Sequence, residues 1–165
     1  MRKASDVIGL PVLSLQSGDE IGRVRDILCD LEWSVLGVVL KEAGWFQEGA
    51  YIPLDKICSV GTDCLTVADD RAVTSLHELA DSDTVGFLTG KGTLKGKSVY
   101  TTSGEHVGKV EDVYFSPNWE RLVAYEVSNG WIADVKEGRR RLPAPLSVTI
   151  GEENLIVPDS NRFQA

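Results

Sequence analysis

Residues 17–27, SGDEIGRVRDI, are repeated at residues 103–113 as SGEHVGKVEDV. The two stretches share glycines, a valine and an aspartate at the same spacing. The match continues beyond them into two pairs of tryptophans, Trp33 with Trp119 and Trp45 with Trp131. A match this long at constant spacing indicates an internal duplication. The 165-residue chain therefore contains two related copies of one unit.

The duplication divides the chain into four parts. Residues 52–69 align without a gap with residues 142–159, so each copy extends well beyond the shared stretch. We predict a first copy over residues 1–75, a helix and linker over 76–92, a second copy over 93–160, and a tail over 161–165. A unit of this size buries only a modest core. We therefore expect the two copies to pack on each other or on a partner.

The composition is that of an acidic globular protein. Hydrophobic residues make up 42% of the chain and charged residues 25%, which argues against disorder. The net charge at pH 7 is −8, and most of the excess negative charge lies in the first copy. Because an acidic surface repels the phosphate backbone, we do not expect sequence-independent binding of nucleic acid.

The chain shows no signal for membrane insertion or export. No apolar run approaches the roughly 18 residues that a membrane helix needs, and the N-terminal MRKASDVIGL lacks the apolar core of a signal peptide. All three cysteines lie in the first copy, which fits reduced thiols packed as small hydrophobic side chains: Cys29, Cys58 and Cys64. We therefore predict a cytoplasmic location and leave peripheral association with a membrane open.

Short runs rich in Val, Ile and Leu recur about every ten residues, separated by Gly, Ser, Asp or Asn. This spacing predicts a mostly β protein, either a barrel or a sandwich. In the first copy we predict strands at residues 11–15, 20–31, 35–41, 50–53, 57–60 and 65–68. The second copy repeats the plan at 98–101, 106–115, 122–127, a hairpin at 131–143, 148–150 and 155–157.

Repeated glycines mark the bends of these strands. Gly18 and its counterpart Gly104 supply the positive φ that a hairpin turn requires. Gly22 and its counterpart Gly108 fall inside the next strand, where a missing side chain indicates a bulge or the close approach of another backbone. Small barrels need such points because their strands bend sharply.

Asp26 and Asp112 occupy equivalent places four residues after the strand glycines. A carboxylate within a strand commonly accepts hydrogen bonds from nearby backbone amides. We therefore expect each aspartate to fix a corner of its own barrel.

The connection between the copies is predicted to contain the one α-helix of the chain. Residues 71–80, RAVTSLHELA, place their apolar side chains on one helical face, and Asp70 is available as the N-cap. The glycines and polar residues that follow suit a linker, with a short strand at 85–88.

The glycine, valine and aspartate pattern, closed by a hydrophobic-Pro-x sequence, resembles the PRC-barrel family. The first copy carries it as Gly18, Gly22, Val24, Asp26 and Ile52-Pro53-Leu54; the second copy carries it as Gly104, Gly108, Val110, Asp112 and Leu142-Pro143-Ala144. The resemblance implies two tandem small β-barrels. Such domains occur in the cytoplasmic part of the photosynthetic reaction centre H subunit, in a bacterial ribosome maturation factor and in stand-alone proteins, including sporulation-associated ones.

The resemblance implies a binding or assembly role. The chain shows neither the transmembrane segment of the H subunit nor the RNA-processing domain of the ribosome factor, so it is similar to the stand-alone tandem members. We expect a non-enzymatic adaptor that binds a protein partner and needs no cofactor. Two alternatives stay open: a small-molecule or electron-transport-associated protein with a site between the barrels, and an RNA- or ribosome-associated factor.

The residues that could support catalysis or bind a metal form no recognisable motif. The two histidines, His77 and His106, cannot be paired from the sequence and are interpreted as solvent-exposed. The cysteines lack the ligand spacing of a zinc site. Asp26 and Asp112 could act as an acid–base pair only if the barrels brought them within roughly 5–10 Å of each other. We therefore predict no catalytic and no metal-binding residue.

Aromatic rings and one basic cluster are the candidate partner-binding residues. Tryptophan and arginine are enriched at the energetic centres of protein interfaces. The loop rings and the basic run predicted to contact a partner are Trp45, Phe46, Trp131, Arg139, Arg140 and Arg141. The arginines could also bind phosphate or RNA. The other tryptophan pair, Trp33 and Trp119, is predicted to cap the barrel ends or to join the two copies.

Overall fold

The structure is a computed structural model, which describes residues 2–41, 49–89, 92–128 and 140–160. The chain is mostly β, with two sheets that curl into half-barrels. This confirms the predicted fold class. In chain order the strands are β1 (Arg2–Lys3), β2 (Pro11–Ser14), β3 (Glu20–Cys29), β4 (Val35–Lys41), β5 (Ala50–Pro53), β6 (Ile57–Val60), β7 (Leu65–Val67), β8 (Thr74–Ser75), β9 (Val85–Gly86), β10 (Ser98–Thr101), β11 (His106–Phe115), β12 (Leu122–Ser128), β13 (Arg140–Pro143), β14 (Thr149–Ile150) and β15 (Asn154–Val157).

The two sheets have the same topology. The strand order is β6-β7-β2-β3-β4-β5-β8 in the first sheet and β13-β12-β11-β10-β15-β14 in the second. In each sheet the long strand, β3 or β11, pairs antiparallel with both neighbours. The strand that precedes it pairs in parallel with the last strand of its copy, β2 with β7 and β10 with β15. The duplication in the sequence is therefore a duplication of the fold.

The repeated glycines lie where the sequence predicts a turn and a bulge. Gly18 and Gly104 have φ of 75° and 91° in the hairpin turns. The strand pairing shifts register next to Gly22 in the first sheet and next to Gly108 in the second. At Gly108 a Cβ atom would lie 2.7 Å from the carbonyl oxygen of Ser128, so a side chain would force the strands apart.

Two short strands connect the copies. β1 lies at the start of the first copy but pairs with β11 of the second sheet, with Lys3 opposite Tyr114. β9 precedes the second copy but pairs with β3 of the first sheet, with Gly86 opposite Leu28. Each copy therefore receives a strand from the segment that leads into the other copy.

Buried apolar side chains from both copies form one continuous core. Its largest fully buried members include Trp33 and Ile52 from the first copy and Tyr125 and Phe115 from the second. The copies thus pack on each other, as their small size predicts.

The α-helix predicted over residues 71–80 is wrong. The connection contains two 3₁₀ turns, Asp70–Ala72 and Leu76–Leu79, with β8 between them. The carboxylate of Asp69 caps the first turn by accepting a hydrogen bond from the Arg71 N–H (2.9 Å). Pairing of β8 with β5 takes the centre of the segment into the first sheet, so the helical part is reduced to short turns.

The one α-helix among the described residues is α1 (Ala4–Val7), a single turn that directly follows β1. Within the same ranges, no helix combines the length and the apolar character that crossing a membrane requires. The cytoplasmic location stays a prediction.

Candidate interaction surfaces at the junction of the two copies

Asp26, in the middle of β3, is fully buried and binds the segment that leads into the second copy. Its carboxylate accepts hydrogen bonds from the backbone N–H groups of Phe87 (3.0 Å), Leu88 (3.0 Å) and Thr89 (2.9 Å), and from the Thr89 hydroxyl (2.5 Å). A Cβ atom at Gly86 would lie 2.5 Å from Asp26 Oδ2, so a glycine is needed for this approach. Hydrogen bonds to an ionised acceptor are strong. The four hydrogen bonds from residues 87–89 hold the segment that leads into the second copy against the first sheet.

Asp112 has the same role in β11 for the N-terminal segment. Its carboxylate accepts hydrogen bonds from the backbone N–H of Ser5 (3.3 Å) and from the Ser5 hydroxyl. Each aspartate also accepts one hydrogen bond from the residue that follows it, at 2.8 Å. Both aspartates therefore accept hydrogen bonds from backbone amides, as expected, but most of these bonds come from the segments that connect the copies and not from a corner of the aspartate's own barrel.

A charged cluster surrounds β1 on the second sheet. Lys3 forms an ion pair with Glu126, with an N–O distance of 2.8 Å, and the hydrogen bond to Glu126 raises the pKa of Lys3. The Tyr114 hydroxyl donates to the same carboxylate (3.4 Å), and the Arg141 guanidinium carbon lies 4.5 Å from the centre of the Tyr114 ring. In the first copy, Val39 faces Asp26 across the strands as Glu126 faces Asp112, so this cluster belongs to the second copy alone.

The two copies meet around Trp33 and around Trp119, and we call these two contact regions the junctions. Trp33 closes the first junction. Its side chain is fully buried, and its Nε1 donates a hydrogen bond to the carbonyl oxygen of Pro145 (3.0 Å). The ring meets Tyr125 edge-on, with 5.8 Å between the ring centroids. The Leu122 N–H donates to the Trp33 carbonyl oxygen (2.9 Å). Pro145, Tyr125 and Leu122 all belong to the second copy, so Trp33 joins the copies, as predicted.

Trp119 occupies the equivalent position at the other junction, which stays open. Its side chain is half-buried and stacks on Phe115, with 5.2 Å between the ring centroids. The guanidinium carbon of Arg2 lies 5.4 Å from the centre of the indole ring. Among the residues that the structure describes, the indole N–H has no hydrogen-bond acceptor. Trp119 therefore does not form the closed contact that Trp33 forms.

A groove of about 590 Å³ lies beside Trp119. One wall consists of Leu54, Asp55 and the four residues of β6 from the first copy, and the other consists of residues 117–120 from the second copy. Asp55, Cys58 and Glu120 are exposed, so the groove is open to solvent.

Both tryptophans have a strained backbone. Their φ angles are 68° for Trp33 and 64° for Trp119, in the left-handed region that bulky residues rarely adopt. Such a conformation costs of order 1–3 kcal/mol and persists where the surroundings determine it. Complete burial offsets this cost at Trp33, whereas Trp119 has less packing to offset it. A strained, half-exposed tryptophan is therefore a candidate binding residue.

A model of the PRC-barrel domain family matches the chain twice, over residues 1–73 and 92–164. The chain belongs to the PRC-barrel domain family. The two matches fall on the two copies, which confirms the tandem arrangement that the sequence predicts.

The protein is also similar to a bacterial protein. It is 27% identical over 144 residues to the "Uncharacterized protein YrrD" of Bacillus subtilis (strain 168). The aligned region covers 86% of this chain and 78% of that protein, so the relationship extends over both PRC-barrels.

Of the six predicted partner-binding residues, two lie in the part of the chain that the structure describes. Trp45, Phe46, Trp131 and Arg139 lie outside the described residues. Arg140 and Arg141 begin β13, the part of the predicted hairpin over residues 131–143 that the structure describes. Arg140 is exposed, whereas Arg141 is half-buried with its guanidinium over the Tyr114 ring. The binding roles of all six residues stay predictions.

The groups considered for catalysis or metal binding are separated. Asp26 and Asp112 each bind a different segment of backbone, so they do not share a site. His106 packs against Tyr100, with 5.0 Å between ring centroids, and His77 lies in a 3₁₀ turn. In the part of the chain that the structure describes, no three His, Cys, Asp or Glu residues are placed to hold a metal ion.

The three cysteines of the first PRC-barrel have different environments. Cys29 is buried, and burial, together with the charges of Asp30 and Asp26, raises its pKa to about 12. Cys64 is half-buried, and Cys58 is exposed in the groove beside Trp119. The interpretation of all three as buried thiols is therefore wrong for Cys58.

A second concave region, of about 680 Å³, lies within the second PRC-barrel. Its floor contains Lys97, which is buried and donates hydrogen bonds to the carbonyl oxygens of Gly151 (2.7 Å) and Glu152 (2.6 Å). Burial lowers the pKa of Lys97. Lys109 and Glu153 also line the cavity, so side chains of both charges surround it.

Proposed function

We propose that this protein is a non-enzymatic adaptor that binds a partner protein. One observation carries the proposal: two PRC-barrels meet at two equivalent junctions, and a tryptophan closes only one of them. Trp33 is buried in its junction, and Trp119 borders an open groove in the other. A partly exposed tryptophan beside a concave surface is typical of the residues that dominate protein interfaces.

The connection between the barrels supports the same proposal. Asp26 anchors the segment that follows β9, and Asp112 anchors the segment that follows β1. β1 pairs with the second sheet and β9 with the first, so these strands hold together the two copies that form the walls of the groove. A surface that is already in place loses little conformational entropy when a partner binds. The duplication thus provides a stable, preformed docking surface.

Two alternatives stayed open from the sequence: a small-molecule site between the barrels and an association with RNA. A small ligand between the barrels would occupy the groove beside Trp119, but the solvent-exposed Asp55 and Glu120 in its walls favour a partner that covers it from outside. An RNA partner would require free basic side chains, whereas the Arg141 guanidinium already packs on Tyr114.

Affinity capture from a lysate of the source organism tests the proposal. The wild-type protein is compared with Trp119→Ala and with Leu146→Ala, which removes an exposed apolar side chain beside the closed junction. We expect a specific protein to be retained by the wild type and by Leu146→Ala, and to be lost from Trp119→Ala. If the wild type retains no specific protein, the adaptor function is wrong.

The same capture tests the predicted role of Trp45, which lies outside the described residues. Trp45→Ala is expected to abolish capture and to leave the melting temperature nearly unchanged, because the sequence predicts an exposed ring at this position and such a ring contributes little to folding. A large loss of stability would instead place Trp45 in the core and remove it from the interface. Capture of the partner and the melting temperature are measured for Arg140→Ala as well, which tests the basic run.

A further inference from the structure

We propose that the groove beside Trp119 binds an extended segment of a partner protein, rich in basic and apolar residues, which adds to the free edge of β6 as a further strand. The inference rests on the proposed adaptor function. It assigns that function a surface and a partner chemistry.

The position of β6 makes strand addition possible. β6 ends the strand order of the first sheet and, among the described strands, pairs only with β7. All four of its residues, Ile57–Val60, line the groove. Because successive side chains of a strand point to opposite faces, a groove lined by four consecutive residues runs along the strand edge. Such an edge presents backbone N–H and C=O groups to an incoming strand.

The closed end of the groove limits where the segment lies. Arg2 donates a hydrogen bond from Nη1 to the carbonyl oxygen of Val60 (3.0 Å), so this end of the edge is already occupied. The remaining part of β6 faces residues 117–120 across the groove. A segment added there would pass between the β6 backbone and the Trp119 side chain.

The contacts of Trp33 in the closed junction indicate which group a partner would supply to Trp119 in the open one. Trp33 is fully buried and its indole N–H donates to a backbone carbonyl, that of Pro145. Trp119 has the same backbone conformation, but its indole N–H has no acceptor among the described residues. A partner backbone that runs along β6 supplies carbonyl oxygens of the kind that Trp33 uses.

The charge and polarity of the walls define the partner chemistry. Leu54 and Ile57 provide apolar contacts, and the exposed carboxylates of Asp55 and Glu120 flank them. Because the Arg2 guanidinium already lies over the Trp119 ring, the basic side chains of the partner would pair with Asp55 and Glu120 and not with the ring. With a net charge of −8, the protein also attracts a basic segment over a longer range.

Synthetic peptides of about eight residues serve as probes, since this is the length of an ordinary strand. One peptide alternates Val and Lys, a matched peptide alternates Val and Glu, and a third repeats the Val/Lys sequence with every backbone amide N-methylated. The readout is the rate at which iodoacetamide alkylates Cys58 in the full-length Cys64→Ser protein. Cys58 reports on the groove because it is exposed there, whereas Cys29 is buried.

The Val/Lys peptide is expected to slow alkylation of Cys58 by about tenfold at saturation, because a covered thiol is inaccessible. The Val/Glu and N-methylated peptides are expected to leave the rate unchanged, since one lacks the charge and the other lacks the N–H donors. Trp119→Ala should abolish the protection. Glu120→Lys, a change at an exposed residue, leaves Asp55 opposite a lysine and should therefore weaken the protection by the Val/Lys peptide, even if Trp119→Ala folds poorly.

Several results would overturn the inference and leave the adaptor function standing. Equal protection by the Val/Lys and Val/Glu peptides would remove the charge selectivity, and protection by the N-methylated peptide would remove strand addition. Slowing that depends on protein concentration alone would assign the edge to a second copy of this chain. A partner that Trp119→Ala captures as well as the wild type does would place the docking surface elsewhere.

Discussion

Trp33 and Trp119 have the same left-handed backbone, with φ of 68° and 64°, but only Trp33 is fully buried. The two residues are equivalent in sequence and topology, so the difference arises from what faces each of them across the junction. Trp33 meets Pro145 and Tyr125 of the second copy, and Trp119 meets a groove. The duplication therefore produces one structural tryptophan and one that is available to a partner.

The two tryptophans should differ in their contribution to stability. Trp33→Ala is expected to lower the free energy of unfolding by about 3–5 kcal/mol, because it leaves a cavity between the copies. Trp119→Gly should change it by less than about 1 kcal/mol, since glycine relieves the left-handed strain while the stacking on Phe115 is lost. Urea denaturation of both variants measures the difference. Equal losses would show that Trp119 is also a core residue.

Asp26 should contribute more to stability than Asp112. Asp26→Ala leaves the backbone N–H groups of Ile27, Phe87, Leu88 and Thr89 without their acceptor and is expected to cost about 3–5 kcal/mol. Asp112→Ala affects only Ser5 and the following N–H and is expected to cost about 1–3 kcal/mol. Hydrogen exchange should show faster opening of residues 85–89 in Asp26→Ala. A larger loss in Asp112→Ala would contradict this ranking of the anchors.

The cysteines should react in the order of their exposure. The thiolate is the reactive form, and the pKa of about 12 keeps buried Cys29 protonated at pH 8. Iodoacetamide is therefore expected to modify Cys58 first and to modify Cys29 only after the protein is unfolded. Mass spectrometry of the native and the denatured protein counts the modified sites. Rapid modification of Cys29 in the native protein would mean that the junction opens readily.

Lys97 should make stability depend on pH at alkaline values. Burial lowers its pKa below the ordinary value of 10.5, so between the folded pKa and 10.5 the unfolded chain binds more protons than the folded one. Stability contributed by this group therefore rises as the pH rises through that interval. The difference in unfolding free energy between the wild type and Lys97→Met should grow in favour of the wild type from pH 7 to about 10. A difference that does not change with pH would contradict the lowered pKa.

Local sequence signals predicted most of the strands. Alternating and continuous apolar runs predict most of the described strands of both copies, and the glycines identify the turns at Gly18 and Gly104. Of the predicted hairpin at 131–143, residues 131–139 lie outside the described residues. The exception is the segment 71–80, where apolar residues at helical spacing suggested a helix. Strand pairing of Thr74–Ser75 with β5 prevails there, and pairing with a distant strand cannot be read from local spacing.

The junction between the copies could not be predicted, because it depends on contacts between residues far apart in the chain. The sequence shows that Asp26 and Asp112 are equivalent, but their partners lie in segments about sixty and one hundred residues away, Phe87–Thr89 and Ser5. Likewise, the sequence pairs Trp33 with Trp119 and carries no signal for which of them is buried. The strand Arg2–Lys3 is too short to be recognised by its pattern.

Hydrogen–deuterium exchange on the full chain, with and without the captured partner, tests the central claim most directly. The account predicts slower exchange in residues 54–60 and 117–120 when the partner is bound, because the partner covers the β6 edge and the turn that carries Trp119. The segment around Trp33 should be unchanged, since that junction is already closed. A bound partner that leaves both of these stretches unprotected would contradict the account.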